Sequence, residues 1–318
     1  MKLLVTGGAG FIGSNFIRHI LKKYPDYKVI NFDKLTYAGN LDNLKDIENN
    51  PNYTFVRGDV CNYDHLDHVM KEVDSIVHFA AESHVDNSLT SSLIFTQSNT
   101  KGTHVLLEVA RKHKINRIIH ISTDEIYGST VKGSFKETDH MRPNNPYSAA
   151  KAAACLIVRA YVQTFKLPII ITRSSNNFGP YHHPEKLIPK TITNLLENKK
   201  VPLYGTGENV RDWLYVLDNC RAIDLVLHKG NVGETYNIGG GNEIENITII
   251  KKILKLLNKD ESYIEYVEDR LGHDFRYSLD ISKIKNELGW QPKYSFDEAL
   301  KETVEWYKNN QDWWRKLT

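Results

Sequence analysis

The chain opens with a pattern that leaves little freedom in how its first elements fold. Lys2-Leu3-Leu4-Val5-Thr6 is a short apolar strand, and Gly7-Gly8-Ala9-Gly10-Phe11-Ile12-Gly13 follows at once. Gly8, Gly10 and Gly13 fit G-x-G-x-x-G, while Gly7, Gly10 and Gly13 fit the related G-x-x-G-x-x-G. Glycine lets the turn tighten and lets main chain approach a pyrophosphate, whose charge then faces the amino end of a helix predicted over 11–23. A second apolar strand, over 28–32, ends in Asp33. A carboxylate there, about twenty residues past the last glycine, can hold an adenosine ribose 2′-hydroxyl. The pattern predicts a dinucleotide site. Asp33 repels a 2′-phosphate and so favours NAD over NADP, while the adjacent Lys34 pulls the other way. The plainer reading of Asp33 is a turn residue at a strand end.

The alternation continues. Strands are predicted over 53–57, 75–79, 117–121 and 168–172, and helices over 63–71, 92–113 and from Pro146 through Phe165. This rhythm implies an α/β fold with a doubly wound parallel sheet of the Rossmann type. Small residues after the strands, at Gly58-Asp59-Val60 and Ala80-Ala81-Glu82-Ser83-His84, let a flat ligand lie close. Asp59 either meets an adenine amino group or caps the helix that follows. His84 has no evident partner and reads as structural. Apolar positions on the two long helices, Leu93, Val105, Leu106 and Val109 on one and Leu156, Ile157 and Phe165 on the other, suit a homodimer of paired helices or burial within one chain.

Chemistry concentrates between Ile121 and Lys151. The polar cluster Ser122-Thr123-Asp124-Glu125 ends an apolar strand, where open α/β sheets bind ligands. Tyr147 and Lys151 sit four apart after Pro146, which favours the first turn of a helix, so phenol and ammonium share a face. A nearby ammonium lowers a phenol towards working pH, and such a phenol can take the proton of an alcohol being oxidised. By itself the spacing also fits a half-buried ring beside a solvated lysine.

At 318 residues, 41% hydrophobic and 25% charged, the chain can bury one large core or two moderate ones. A net charge of +2 provides no general field for nucleic acid or an anionic membrane. Cys61, Cys155 and Cys220 are far apart and form no metal-ligand pattern, which suits a reducing compartment. With no apolar run of about twenty residues, and a strand at the start instead of a signal peptide, a cytoplasmic protein is expected. Beyond Arg173 the rhythm breaks. The stretch 176–186 is polar, aromatic and proline-punctuated, as a ligand-facing loop would be, and Lys186, Arg211 and Arg270 are cations that could converge on a diphosphate. Helices are predicted over 216–228 and 247–257, and Ser295-Phe296-Asp297-Glu298 resembles a capping box opening a helix to Asn309. The expected division is a dinucleotide domain over 1–175 and a smaller, mainly C-terminal substrate-binding lobe over 176–318, with some segments returning to the first.

These motifs resemble the extended short-chain dehydrogenase/reductases and, among them, the dTDP-glucose 4,6-dehydratases. The likeness spans nearly the whole chain: Thr6 to Gly13, Asp33 to Asn40, Ala80 to Asp86, Ser122-Thr123-Asp124-Glu125, Tyr147 with Lys151, Asn176 to Pro180, Arg211-Asp212-Trp213 and Asp269 to Asp274. Thr-Asp-Glu is the discriminating signature. The resemblance implies that Tyr147 takes the C4 hydroxyl proton as hydride passes to NAD, with Lys151 holding the phenolate and Thr123 orienting the sugar. Glu125 then removes the C5 proton, Asp124 protonates the departing C6 hydroxyl, and the hydride returns at C6. It places Phe11, Ile12, Asp33, Lys34, Leu35, Thr36, Asp59, Val60, Phe79, Ala80, Ala81, Glu82, Ser83, Ser98 and Asn177 at cofactor positions, beside the glycines, Tyr147 and Lys151. It places Ser83, Thr123, Asn176, Lys186, Leu187, Pro202, Leu203, Tyr204, Arg211, Asn246, Asp269, Arg270, Leu271, Gly272 and His273 at positions for a nucleotide-sugar substrate, dTDP-glucose or UDP-glucose. Asn87, Ser98, Phe178 and Leu271 depart from the family pattern, and none removes a catalytic group. A nucleotide-sugar 4-epimerase shares Tyr147 and Lys151 but needs no acid and base at C6 and C5. A non-catalytic NAD-binding protein would be expected to have lost one of these groups. The pathway that uses the product, rhamnose or another deoxysugar, leaves no trace in these residues.

Overall fold

The computed structural model describes residues 1–269 and 271–318. The elements run β1 (Lys2–Thr6), α1 (Phe11–Lys23), β2 (Lys28–Asp33), β3 (Tyr53–Arg57), α2 (Tyr63–Val69), β4 (Ser75–His78), α3 (Val85–Thr90), α4 (Ser92–Phe95), α5 (Gly102–Lys112), β5 (Arg117–Thr123) and α6 (Pro146–Phe165). Then come β6 (Ile169–Ser174), β7 (Asn176–Phe178), α7 (Leu187–Leu196), β8 (Val201–Tyr204), β9 (Val210–Tyr215), α8 (Val216–Lys229), β10 (Thr235–Ile238), β11 (Glu243–Glu245), α9 (Asn246–Leu256), β12 (Ile264–Val267), α10 (Ser282–Leu288), α11 (Phe296–Asn309) and α12 (Gln311–Trp314). Seven strands form one parallel sheet in the order β10-β6-β5-β4-β1-β2-β3. Strand order reverses between β1 and β4, which opens the crevice where such sheets bind ligands. β4 and β6 are buried along their whole lengths, as parallel strands covered on both faces must be.

Two small sheets, β11-β9-β7 and β12-β8, are built from strands of the second half of the chain. β10 comes from the second half of the chain and pairs with β6 at the edge of the main sheet. α8 is tied to α1 through Asp224, which is buried and meets His19 Nε2 and Lys23 Nζ, each at 2.7 Å, and His228 Nδ1 at 2.9 Å.

Local chemistry explains most boundaries. Pro146 occupies the first turn of α6, Asn145 Oδ1 accepts from Ser148 N at 2.9 Å, and Ser148 Oγ accepts from Asn145 N at 3.3 Å. The Ser295 and Glu298 capping box opens α11 as the sequence predicts. Asn62, whose side chain accepts from His65 N at 3.0 Å, caps α2, so the capping reading of Asp59 is wrong. The helix expected over 92–113 is also wrong in form. It is interrupted by a π-helical segment, Thr96–Lys101, between α4 and α5. Side chains there bond outward. Asn99 takes Glu82 N at 2.8 Å and gives to Glu82 O at 2.9 Å, while Thr100 Oγ1 donates to Ala150 O at 3.0 Å. Such a bulge re-aims side chains that a regular helix would turn elsewhere.

Candidate active site

The first cleft lies over the β1–α1 turn. Gly7 adopts φ +72°, and a Cβ there would sit 2.6 Å from Ala80 N; one on Gly13 would sit 2.4 Å from Gly7 O. A Cβ on Gly10 meets only Gly7 O, at 3.3 Å, and would fill the cradle itself. α1 has no side-chain cap and no acidic residue in its first turn, so its amino end is open to an anion. Asp33 is buried. Its Oδ2 accepts from Ala9 N at 2.9 Å and its Oδ1 from Leu35 N at 2.8 Å, which aims the carboxylate into the cleft. Lys34 is held by Asp59 in an ion pair of 2.8 Å, which diverts its charge from Asp33. This donor set fits a dinucleotide with a free adenosine 2′-hydroxyl.

The residues that the sequence marks as catalytic candidates stand on β5 and α6 and in the turn after β5. Thr123, Asp124 and Glu125 leave the strand in a short 3-10 turn, with Glu125 N donating to Thr123 Oγ1 at 3.3 Å. Asp124 is buried; Oδ1 accepts from the Thr123 hydroxyl at 3.2 Å, and Oδ2 has no partner among the described residues. Burial, then the Glu125 and Asp212 carboxylates, hold the Asp124 carboxyl well above the usual carboxylate range. Asp212 is itself pushed up to about 6 by burial, against the amides of Asn242 and Gly240. A buried carboxyl that keeps its proton, with a second carboxyl adjacent, is an arrangement from which an acid and a base can be drawn.

Tyr147 and Lys151 stand on one face of α6, but their relation differs from the sequence expectation. Burial pushes the phenol up, with Glu125 and Asp124 adding to it and the Thr123 hydroxyl opposing. The Lys151 ammonium donates to Ile121 O at 2.5 Å, and burial brings it down to about 8. Burial of the phenol, with the Glu125 carboxylate beside it, sets its affinity, while the Lys151 ammonium is anchored on main chain.

A second cleft, lined by Thr123, Asp124, Glu125, Asn176, Leu187, Pro202, Leu203, Tyr204, Arg211, Asn246 and His273, meets the first at Tyr147, Ser83 and Lys186. Arg211 is buried with its guanidinium on Asp274 O (2.8 Å) and Val210 O (2.8 Å) and 4.4 Å from the Tyr277 ring centre. Asn176 Oδ1 and Asn246 Oδ1 are buried acceptors with no protein donor among the described residues, as a polar ligand would require.

The first cleft is lined by the three motif glycines together with Phe11, Ile12, Asp33, Lys34, Thr36, Asp59, Val60, Phe79, Ala80, Ala81, Glu82, Ser83, Ser98, Tyr147 and Lys151. Five assignments are not brought to their cleft. Leu35, at φ +57°, turns away and contributes its amide to Asp33. Asn177 bonds Ser175 O and Asn219, and faces the second cleft instead. Asp269 stands behind His273, bonded to its Nδ1 at 2.6 Å; Leu271 is exposed, and Gly272 is a left-handed turn residue. Arg270 lies outside the described residues. Conversely, His84, read as structural, lines the second cleft, and Glu185 and His182 line both. The loop carrying Glu185 and His182 was legible as ligand-facing, whereas nothing local distinguished those residues within it. Trp313 and Leu317 also reach the first cleft.

A parallel sheet with a glycine turn, a ribose-facing carboxylate and a Tyr-x-x-x-Lys pair where two clefts meet defines an extended short-chain dehydrogenase/reductase. The family model described as GDP-mannose 4,6 dehydratase matches residues 4–303, and the chain belongs to that nucleotide-sugar dehydratase family. It is 50% identical over 321 residues to dTDP-glucose 4,6-dehydratase of Streptomyces niveus, covering 100% of this chain and 96% of the relative. The structure of DesIV, a dTDP-glucose 4,6-dehydratase from Streptomyces venezuelae with NAD and dTDP bound, superposes with a TM-score of 0.98 at 50% identity over 100% of both chains. UDP-glucose 4-epimerase of Thermotoga maritima, with UDP-glucose, shares the fold at a TM-score of 0.91 and 30% identity, over 98% of this chain and 100% of that one.

Proposed function

We propose that the chain is an NAD-dependent nucleotide-sugar 4,6-dehydratase that converts dTDP-glucose to its 4-keto-6-deoxy product. The observation that carries this reading is the pair Asp124 and Glu125, buried proton donor beside base, in the cleft that Tyr147 shares with the dinucleotide cleft. NAD, when bound, would supply the hydride acceptor for C4 and the hydride returned to C6. Tyr147 takes the C4 hydroxyl proton, Lys151 steadies the resulting charge, and Thr123 orients the sugar. Oxidation at C4 acidifies C5, whose proton passes to Glu125. Asp124 gives its proton to the C6 hydroxyl, which leaves as water, and Glu125 finally returns a proton to C5. Arg211 and Lys186 face the diphosphate, and Asn176 and Asn246 offer acceptors to the nucleotide sugar.

The same reading assigns the dinucleotide to the lobe over 1–175 and the sugar nucleotide mainly to 176–318, with β10 and α8 returning to the first. Exposed Leu93 on α4 with Leu156 and Phe165 on α6 offers an apolar face for a homodimer of paired helices, which light scattering tests. A cytoplasmic location is supported by three free thiols. The decisive experiment incubates purified protein, without added NAD, with dTDP-glucose and UDP-glucose in parallel. Loss of one water, faster from dTDP-glucose, is expected. A faster loss from UDP-glucose corrects the nucleotide, and an unchanged mass with inverted C4 replaces the reading with an epimerase.

A further inference from the structure

Residues 311–317 lie beyond the stretch matched by the family model, yet they close one side of the dinucleotide cleft, where Trp313 and Leu317 join the lining. Trp313 is tied to the glycine turn itself. Its indole Nε1–H donates to Asn43 Oδ1 at 2.8 Å, and Asn43 Nδ2 donates to Ala9 O at 2.8 Å. Ala9 N in turn donates to Asp33 Oδ2 at 2.9 Å. An unbroken hydrogen-bonded path therefore runs from α12 through the turn to the ribose-facing carboxylate.

The indole is also packed. Its ring lies 5.1 Å from that of Trp306 and 5.7 Å from that of Tyr181, which itself lies under the Arg18 guanidinium at 4.1 Å. Lys316 Nζ pairs with Asp42 Oδ2 at 2.8 Å, a second tie beside the one to Asn43. An aromatic side chain whose one polar atom is spent on the wall of a ligand cleft, while its ring faces that cleft, does more than fill a core.

The proposed dehydration makes a specific demand on this wall. The cofactor reduced at C4 must still be present to act at C6, because its escape would strand a keto sugar. On the reading that the cleft holds NAD, we infer that Trp313 and Leu317 are part of the dinucleotide site and that segment 311–317 is a strap that slows cofactor release between the two half-reactions. Release then requires the strap to lift, breaking the Trp313–Asn43 bond and unpacking the indole.

The test measures dissociation of bound dinucleotide by chase with excess labelled NAD, together with dinucleotide content after purification. Trp313→Phe keeps an aromatic ring but removes the N–H and part of the indole. It should speed dissociation about three- to tenfold, the worth of one hydrogen bond. Leu317→Ala removes an apolar contact near the end of the strap and should speed it by about the same factor. Each variant, stripped of cofactor, should keep the circular dichroism of the stripped wild type and unfold well above the assay temperature, so that faster release is not a sign of unfolding. Dissociation at the wild-type rate in both variants overturns the inference while leaving the proposed function intact. A wild-type protein that binds no dinucleotide at all overturns the functional reading, and this inference with it.

Discussion

Replacing Asp124 by Asn separates the chemistry of the site from its stability. Asparagine keeps an acceptor for the Thr123 hydroxyl, which now donates to Asp124 Oδ1 at 3.2 Å, but has no acidic proton to give. Losing a positioned general acid costs about 10²- to 10⁴-fold in rate, or ~2.7–5.5 kcal/mol in the barrier. C4 oxidation does not use Asp124, so Asp124→Asn should form reduced cofactor on mixing with dTDP-glucose and then stall. Stopped-flow absorbance of the reduced nicotinamide and product mass follow the two steps separately. Stability should move the other way. Burial with Glu125 and Asp212 holds the Asp124 carboxyl well above its unfolded value of about 3.9, so the folded chain keeps a proton that the unfolded chain releases. That difference removes stability as pH rises above about 3.9 towards the folded value. At pH 7 Asp124→Asn should therefore be as stable as the wild type or more so, with the advantage shrinking as pH falls towards 4. Turnover within about threefold of wild type would refute the acid role. A loss of about 2 kcal/mol in stability at pH 7 would refute the neutral carboxyl, since it would mean that a charge with real partners had been removed.

Glu125→Gln should likewise oxidise C4 but fail to exchange the C5 proton with solvent deuterium; exchange at the wild-type rate would place the base elsewhere. Tyr147→Phe should block the first step, so that no reduced cofactor accumulates on mixing, and accumulation at normal speed would identify another base. Far from the site, Asp224→Asn should destabilise the chain by roughly 2–3 kcal/mol at pH 7, the low end for a broken buried ion pair because Lys23 and His228 are partly exposed. His19, His228 and Lys23 hold that carboxyl below its usual range, so its contribution is full above the unfolded value near 3.9 and fades as pH falls. Urea unfolding should accordingly show the gap between variant and wild type closing in acid.

What the sequence made legible was whatever is encoded over a few residues. The glycine turn, Pro146 with Tyr147 and Lys151, and the Ser295 capping box each carry their own geometry, and each forms as read. The helix over 92–113 failed for the complementary reason. Nothing in its own pattern reveals that Asn99 bonds both main-chain groups of Glu82, or that Thr100 reaches Ala150, and those distant partners select the π segment.

The same distinction governs the catalytic pair. A spacing of four places phenol and ammonium together, and two charges considered alone predict a lowered Tyr147. In the folded protein the outcome is set by what else shares the low-dielectric space. Burial raises the phenol, Glu125 adds to it, and Ile121 O takes the Lys151 ammonium. On the proposed mechanism Glu125, which adds to the rise of Tyr147, is also the base of the elimination, so one carboxylate serves the second step at a cost to the first. The lowering that the spacing leads one to expect is therefore not found, because a phenol and an ammonium four residues apart carry no record of the burial and the Glu125 carboxylate that dominate once the helix is packed.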